Sequence, residues 1–283
     1  MKRYLLFLLI FIYIFSNNLL LAQEKEEQKE ESVKIQDNSF FIEEAYNQEP
    51  GIVQHIQSYQ YNSNDSSWFY TFTQEWPLHG KKHQISFLFP VMHLTDNTSD
   101  TGTGDILINY RYQLIDKEKL SISPRFSVIL PTGDYKKGFG TGSWGFQTNI
   151  PLSVELSDQF VTHWNIGLTV TPGAREPGGG SANTLGFNYG ASIIWLTSEN
   201  FNLMFEAAGT NNEYVIADYM GRISTPKEDS FFINPGMRFA INCDSGLQIV
   251  PAISFPIGVG PSEGENGVFF YLSFEHKMFD TED

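Results

Sequence analysis

The sequence predicts an all-β chain that closes into a transmembrane antiparallel β-barrel of about twelve strands, ten to fourteen being compatible with its punctuation. Two observations carry most of this. Segments of roughly ten residues alternate apolar and polar with period two, the signature of strands with lipid on one face and a lumen on the other. All five Trp, Trp68, Trp76, Trp144, Trp164 and Trp195, fall on the apolar phase. The third observation concerns what could cover that phase. After the N-terminal stretch no run approaches the ~18 consecutive apolar residues of a spanning helix, and no amphipathic helix stands ready to pack on a sheet. Lipid is the cover that remains.

Taken in order, residues 1–22 read as a signal peptide: Lys2 and Arg3 begin it, Tyr4 to Phe15 form the apolar run, and Leu20-Leu21-Ala22 gives the exit. The alternative is a membrane anchor, against which Ser16-Asn17-Asn18 interrupts the run. Residues 23–50 are expected to be an acidic, largely disordered periplasmic leader, too poor in apolar surface as far as Asn38 to offset the entropy of folding. Within it, FFIEEAYNQEP at 40–50 could form a short turn or plug near the mouth, or remain a solvated linker. The barrel is expected over 51–279, with an acidic tail at 280–283.

Twelve strands are expected at about 52–61, 68–76, 83–94, 104–114, 120–130, 144–156, 160–171, 185–196, 201–210, 230–241, 247–257 and 268–279. The fourth alternates most clearly: Ile106, Ile108, Tyr110, Tyr112 and Leu114 oppose Asp105, Leu107, Asn109, Arg111 and Gln113. The sixth sets Phe146, Ile150, Leu152, Val154 and Leu156 against Gln147, Asn149, Ser153 and Glu155. The seventh sets Trp164, Ile166, Leu168 and Val170 against His163, Asn165, Gly167 and Thr169. A slip of one residue would put these polar groups into lipid. Connections also sort by parity, short at 77–82, 115–119, 157–159, 197–200 and 242–246, mostly longer at the other end, as in barrels with short periplasmic turns. Glu213 to Met220 could be a short strand of its own inside the longest loop.

The candidate lumen-lining set is Asp105, Asn109, Arg111, Gln113, Arg125, Gln147, Asn149, Glu155, His163, Asn165, Asn188, Glu206, Arg238 and Glu275, to which Asn202, Asn234 and Lys277 add. Its four bases and four acids nearly cancel, so it suits either a hydrated, weakly selective passage or a lumen closed by its own ion pairs. Arg111 and Arg125 lie at similar depth on consecutive strands and need acidic partners, for which Asp105, Glu155 or the far wall are the candidates.

With 18 Lys and Arg against 33 Asp and Glu, nucleic acid is not an expected partner. The single cysteine, Cys243, falls in a short turn and can make no intrachain disulfide. Gly140-Thr141-Gly142-Ser143-Trp144-Gly145 matches a dinucleotide fingerprint, but an alternating strand follows where a helix would have to receive the pyrophosphate. Asp96, Asp100 and Asp105 could gather around calcium; their spacing fits no EF-hand, and turn chemistry is the better account. His163 with Ser153, Asn165 and Glu155 invites comparison with barrel hydrolases, which need nucleophile, base and orienter in hydrogen-bond reach. Lumen-lining residues are the better reading, and neither cofactor nor metal is expected.

Leu130-Pro131-Thr132-Gly133-Asp134, preceded by Gly104-Asp105 and Tyr110-Arg111-Tyr112 and followed by Gly138, Gly140 and Gly142, carries a resemblance. With Pro235-Gly236-Met237-Arg238 and the strand from Pro251 to Pro256, the chain over most of 50–279 resembles the family of outer-membrane transporters named for the meta-pathway (MetA-pathway) of phenol degradation. The resemblance implies an outer-membrane barrel passing small, often hydrophobic or aromatic molecules, and carries over no catalytic residue. The expected function is passive passage of small solutes through a polar lumen, with outer-membrane lipid, the solute and the barrel-assembly machinery as partners. A plugged barrel acting through its surface loops as receptor or adhesin, with Tyr214 to Met220 as contact, is the alternative; a barrel-embedded hydrolase is the third.

Overall fold

The computed structural model describes residues 35, 37–78, 80–95 and 99–278. The signal peptide, most of the leader, Asp96, Phe279 and the acidic tail lie outside the described residues. Twelve antiparallel strands close into a barrel: β1 (Ile52–Asn62), β2 (Trp68–Leu78), β3 (His83–Leu94), β4 in pieces (Asp100–Thr103, Ile106–Tyr112, Ile115–Lys117), β5 (Leu120–Ile122, Arg125–Leu130) and β6 (Gly145–Asn149, Leu152–Ser157). They continue with β7 (Phe160–Arg175), β8 (Ser181–Ser198), β9 (Phe201–Glu213), β10 (Lys227–Phe239, Ile241–Asn242), β11 (Gln248–Ser254, Ile257–Gly258) and β12 (Gly267–Lys277).

Closure is made by β1, which pairs with β2 on one side and with β12 on the other, from Ile52 opposite Lys277 to Asn62 opposite Gly267. Every strand therefore has two neighbours, and no row of unpaired N–H and C=O groups faces hydrocarbon. The exposures decide which face is which. On β7, Trp164, Ile166 and Leu168 are 52%, 50% and 46% exposed, whereas His163 and Asn165 between them are 1% and 7%. The apolar phase is the outer wall.

Strands reach further at the long-loop end than the alternation indicated: β7 runs to Arg175 and β8 resumes at Ser181, leaving residues 176–180 as the turn. Polar side chains such as Asn183 and Asn212 flank these extensions, so hydropathy gave no signal there; the backbone ladder of adjacent strands carries them. The 214–226 loop contains a two-residue hairpin, Ile216–Ala217 against Ile223–Ser224. At its turn Asp218 accepts from the Arg222 and Met220 amides and from Arg222 Nε. These bonds, the Arg222 amide foremost, hold the Asp218 carboxyl below its usual range. Cys243 is exposed in the tight turn between β10 and β11, as its position in sequence indicated.

Candidate functional site: the barrel lumen

The lumen is occupied from the short-turn end by the segment immediately before β1. Ile35, Asp37, Ser39, Ile42, Glu44, Ala45, Asn47 and Gln48 are all buried there. The described residues of this segment form no helix and no strand, so their peptide groups need partners that the sheet, whose own groups are already paired, does not supply. Inward side chains of the wall provide them.

Carboxylates and amide oxygens of the wall accept from its N–H groups. Glu206 on β9, fully buried, accepts from the amides of Phe40, Phe41 and Ile42 at 2.9, 3.2 and 3.3 Å, and from Asn234 Nδ2 at 2.7 Å. Asn165 clamps Glu43 at both ends of its residue, Oδ1 accepting from Glu43 N at 2.9 Å and Nδ2 donating to Glu43 O at 2.7 Å. Gln113 does the same across Ala45 O and Asn47 N, both at 2.9 Å. Guanidinium groups of the wall donate to its carbonyls. Arg238 reaches the carbonyls of Asp37 and Ile35 at 2.6 and 2.9 Å; Arg111 donates to Asn47 Oδ1 at 2.8 Å and to the carbonyl of Tyr46. Asp37 in turn accepts from Tyr271, Ser273 and Gln54. Four of the eight charges that a sequence reading assigns to a passage, Arg111, Arg125, Glu206 and Arg238, are sockets for this one segment.

Arg111 and Arg125 stand directly opposite in the β4–β5 register, as their depth implied. Their acidic partners are not Asp105 or Glu155. Arg125 pairs with Glu43 of the inner segment, Nη2 to Oε1 at 2.6 Å and Nε to Oε2 at 3.0 Å, and Arg111 lies 4.0 Å from Glu75 on β2. Glu75 was findable, since Phe69, Thr71, Thr73 and Glu75 share one phase of β2. Glu43 was not, because it lies in a segment without periodicity. Asp105 instead fixes the loop between β5 and β6, accepting from Gly133 N at 2.9 Å and from Thr141 N and Oγ1 at 2.8 and 2.9 Å. A Cβ on Gly140 would collide with Asp105, and one on Gly133 with the Phe139 carbonyl. The glycines of the Leu130-to-Gly142 stretch thus let the loop fold inward, where Phe139 is 3% exposed. Asp100 leaves this group altogether to bind Lys137 at 2.9 Å, so it and Asp105 do not share a site.

Of the remaining candidates, Asn109 and Gln147 accept from Arg125, and Asn149 and Asn188 link to Asn165 along the wall. Glu275 stands between Gln54 and Gln248 in the cross-strand register, Glu155 is half-buried opposite Val161, and Lys277 is exposed at the end of β12. Ser153 and His163 do meet, Oγ to Nδ1 at 2.7 Å. That hydroxyl also accepts from Ala45 N at 2.8 Å, and both residues are buried beneath the inner segment, so no approach to the serine is open.

Above the inner segment lies a cavity of about 700 Å³. Its floor is residues 38–43 with Arg111, Arg125 and Glu75; its outer wall is Leu88, Pro90, Met92, Leu107, Ile129 and Phe139. Ser58, Thr71, Thr73, Gln84, Ser86, Asn109, Thr141 and Gln147 line the same cavity, so an apolar patch stands beside the expected polar residues. Over the second half of β3 both phases are apolar, Phe87, Phe89 and Val91 on the outer phase and Leu88, Pro90 and Met92 on the inner, and period-two analysis has no contrast to read there. Phe40 and Phe41 add rings at the apex of the segment, packed on Phe269 at 5.6 and 5.4 Å between centroids.

Residues 53–250 match the family described as "Putative MetA-pathway of phenol degradation". The chain belongs to that family. Among solved structures, this MetA-pathway family member is similar to an outer membrane channel from Pseudomonas putida F1, at 11% identity and a TM-score of 0.62, over 82% of this chain and 97% of that one. It is also similar to the NanC porin, at 7% identity and a TM-score of 0.52, over 79% and 99%. At such identities the likeness is one of fold, the outer-membrane channel and porin barrel. No curated protein matches the chain.

Proposed function

We propose that this barrel lies in the outer membrane and passes small, predominantly apolar or aromatic solutes by passive diffusion, with the inner segment as its constriction. The carrying observation is the cavity of about 700 Å³, whose lining sets an apolar patch of Leu88, Pro90, Met92, Leu107, Ile129 and Phe139, with Phe40 and Phe41, beside charged and polar side chains. Its volume is that of small-molecule sites, which are mostly apolar with a few placed polar groups. A hydrophilic porin would instead need an unbroken polar surface. A signal peptide at 1–22, orientation with the short turns toward the periplasm, a lipid annulus around the apolar wall and insertion by the barrel-assembly machinery accompany this reading. The candidate lumen residues then divide: Arg125, Asn109 and Gln147 meet the solute at the cavity floor, whereas Glu206, Arg238, Gln113 and Asn165 hold the constriction.

The test is initial uptake of radiolabelled 3-phenylpropanol by intact cells, whose outer leaflet slows apolar solutes, with and without the barrel. Uptake should be faster with it. Equal rates, with the barrel shown to be folded by heat-modifiable gel mobility, would overturn the reading.

A further inference from the structure

The cavity floor holds a bidentate carboxylate–guanidinium pair that faces the space a solute would fill. Arg125 is fixed to the wall without its acidic partner: Nη1 donates to Asn109 Oδ1 at 3.1 Å and to Ser127 Oγ, and Nη2 donates to Gln147 Oε1 at 3.0 Å. The edge formed by Nε and Nη2 is left for the Glu43 carboxylate, at 3.0 and 2.6 Å. Fork-to-fork geometry of this kind is the strongest common arrangement for recognising a carboxylate. Glu43 is held by its main chain, through Asn165, so its side chain can leave Arg125 without moving the segment's backbone. The side chains of the pair are 13% and 28% exposed, against 5% and 9% for Arg111 and Glu75 beside it.

Resting on the channel reading above, we propose that the Glu43 carboxylate occupies the headgroup position of an external ligand, and that the cavity selects small apolar molecules bearing a carboxylate, which displace Glu43 from Arg125. The apolar body of such a ligand lies against Leu88, Met92, Leu107 and Phe139, and its carboxylate takes the two bonds that Glu43 gives up. With Glu43 in place, Arg111 and Arg125 face Glu43 and Glu75, and a further anion finds no unmatched positive charge. Binding therefore requires the exchange, and Glu43 competes with every such ligand. A neutral ligand of the same shape has no stake in the pair.

The experiment is equilibrium binding, by titration calorimetry on the full chain in lipid nanodiscs, of 3-phenylpropanoate and of neutral 3-phenylpropanol. Glu43→Gln, and independently Glu43→Ala, should tighten the carboxylate by about tenfold, the scale on which a charge-assisted bidentate pair differs from none, and leave the alcohol unchanged. Arg125→Gln should abolish preference for the carboxylate. Heat-modifiable mobility reports folding of each variant. If the alcohol binds but the carboxylate is no tighter in either Glu43 variant, or if both ligands tighten together, the exchange is overturned while the channel reading stands. If neither ligand binds any variant, both fall.

Discussion

Deletion of residues 37–48 should convert a barrel of low conductance into one with large, stable steps in planar bilayers, while leaving heat-modifiable migration intact. The barrel ladder does not depend on the segment: every one of the twelve strands is paired on both sides by other strands. What the deletion removes is the filling of the inner half of the lumen. Glu206, Arg111 and Arg238 lose the peptide groups they bind, and buried charges without partners would be costly; here the vacated space admits water, which replaces those partners. A barrel of this strand number lies between small barrels filled by side chains and wide porins, so its state turns on what else stands in the lumen. Loss of the folded form on deletion would mean that the segment is part of the barrel's core.

The second large effect is on the outside. Leu168→Arg should destabilise the barrel by ~2–4 kcal/mol, the cost of a cation near the bilayer midplane on the lipid face. Leu168 is 46% exposed and sits mid-strand between Thr148 and Phe187 on its neighbours. Asn165→Arg, three residues earlier and facing inward, breaks the clamp on Glu43 and should alter conductance with a much smaller loss of barrel stability. Denaturant titration from phospholipid vesicles measures both. Equal losses would mean that the two faces are misassigned.

Those two substitutions also show what the sequence made legible. On β4 and β7 one phase is apolar and the other polar, so alternation yields both the strand and its facing, and the family motif around Gly133 marks the loop that folds inward. Over the second half of β3 both phases are apolar, which hides the apolar patch of the lumen. Hardest to read was the segment before β1. FFIEEAYNQEP has neither helical nor strand period, and its peptide groups are satisfied by Glu206, Asn165, Gln113 and Arg111 from strands 60 to more than 160 residues away. Such pairing leaves no local trace. The inward charges are visible in the sequence, but nothing local marks the chain's own N-terminal segment as their partner.

The most direct test of the central claim, that this segment sits in the lumen and governs passage, uses Ser39 and Ser192, whose hydroxyl oxygens lie 3.0 Å apart. In a Cys243→Ser background, Ser39→Cys with Ser192→Cys should oxidise to an internal disulfide tethering the segment to β8. Single-channel recording should then show conductance held at its low level under oxidising conditions, even in mild denaturant, with larger openings in that denaturant once reductant is added. Failure of the pair to form a disulfide in a folded barrel, or conductance indifferent to its oxidation state, would contradict the account.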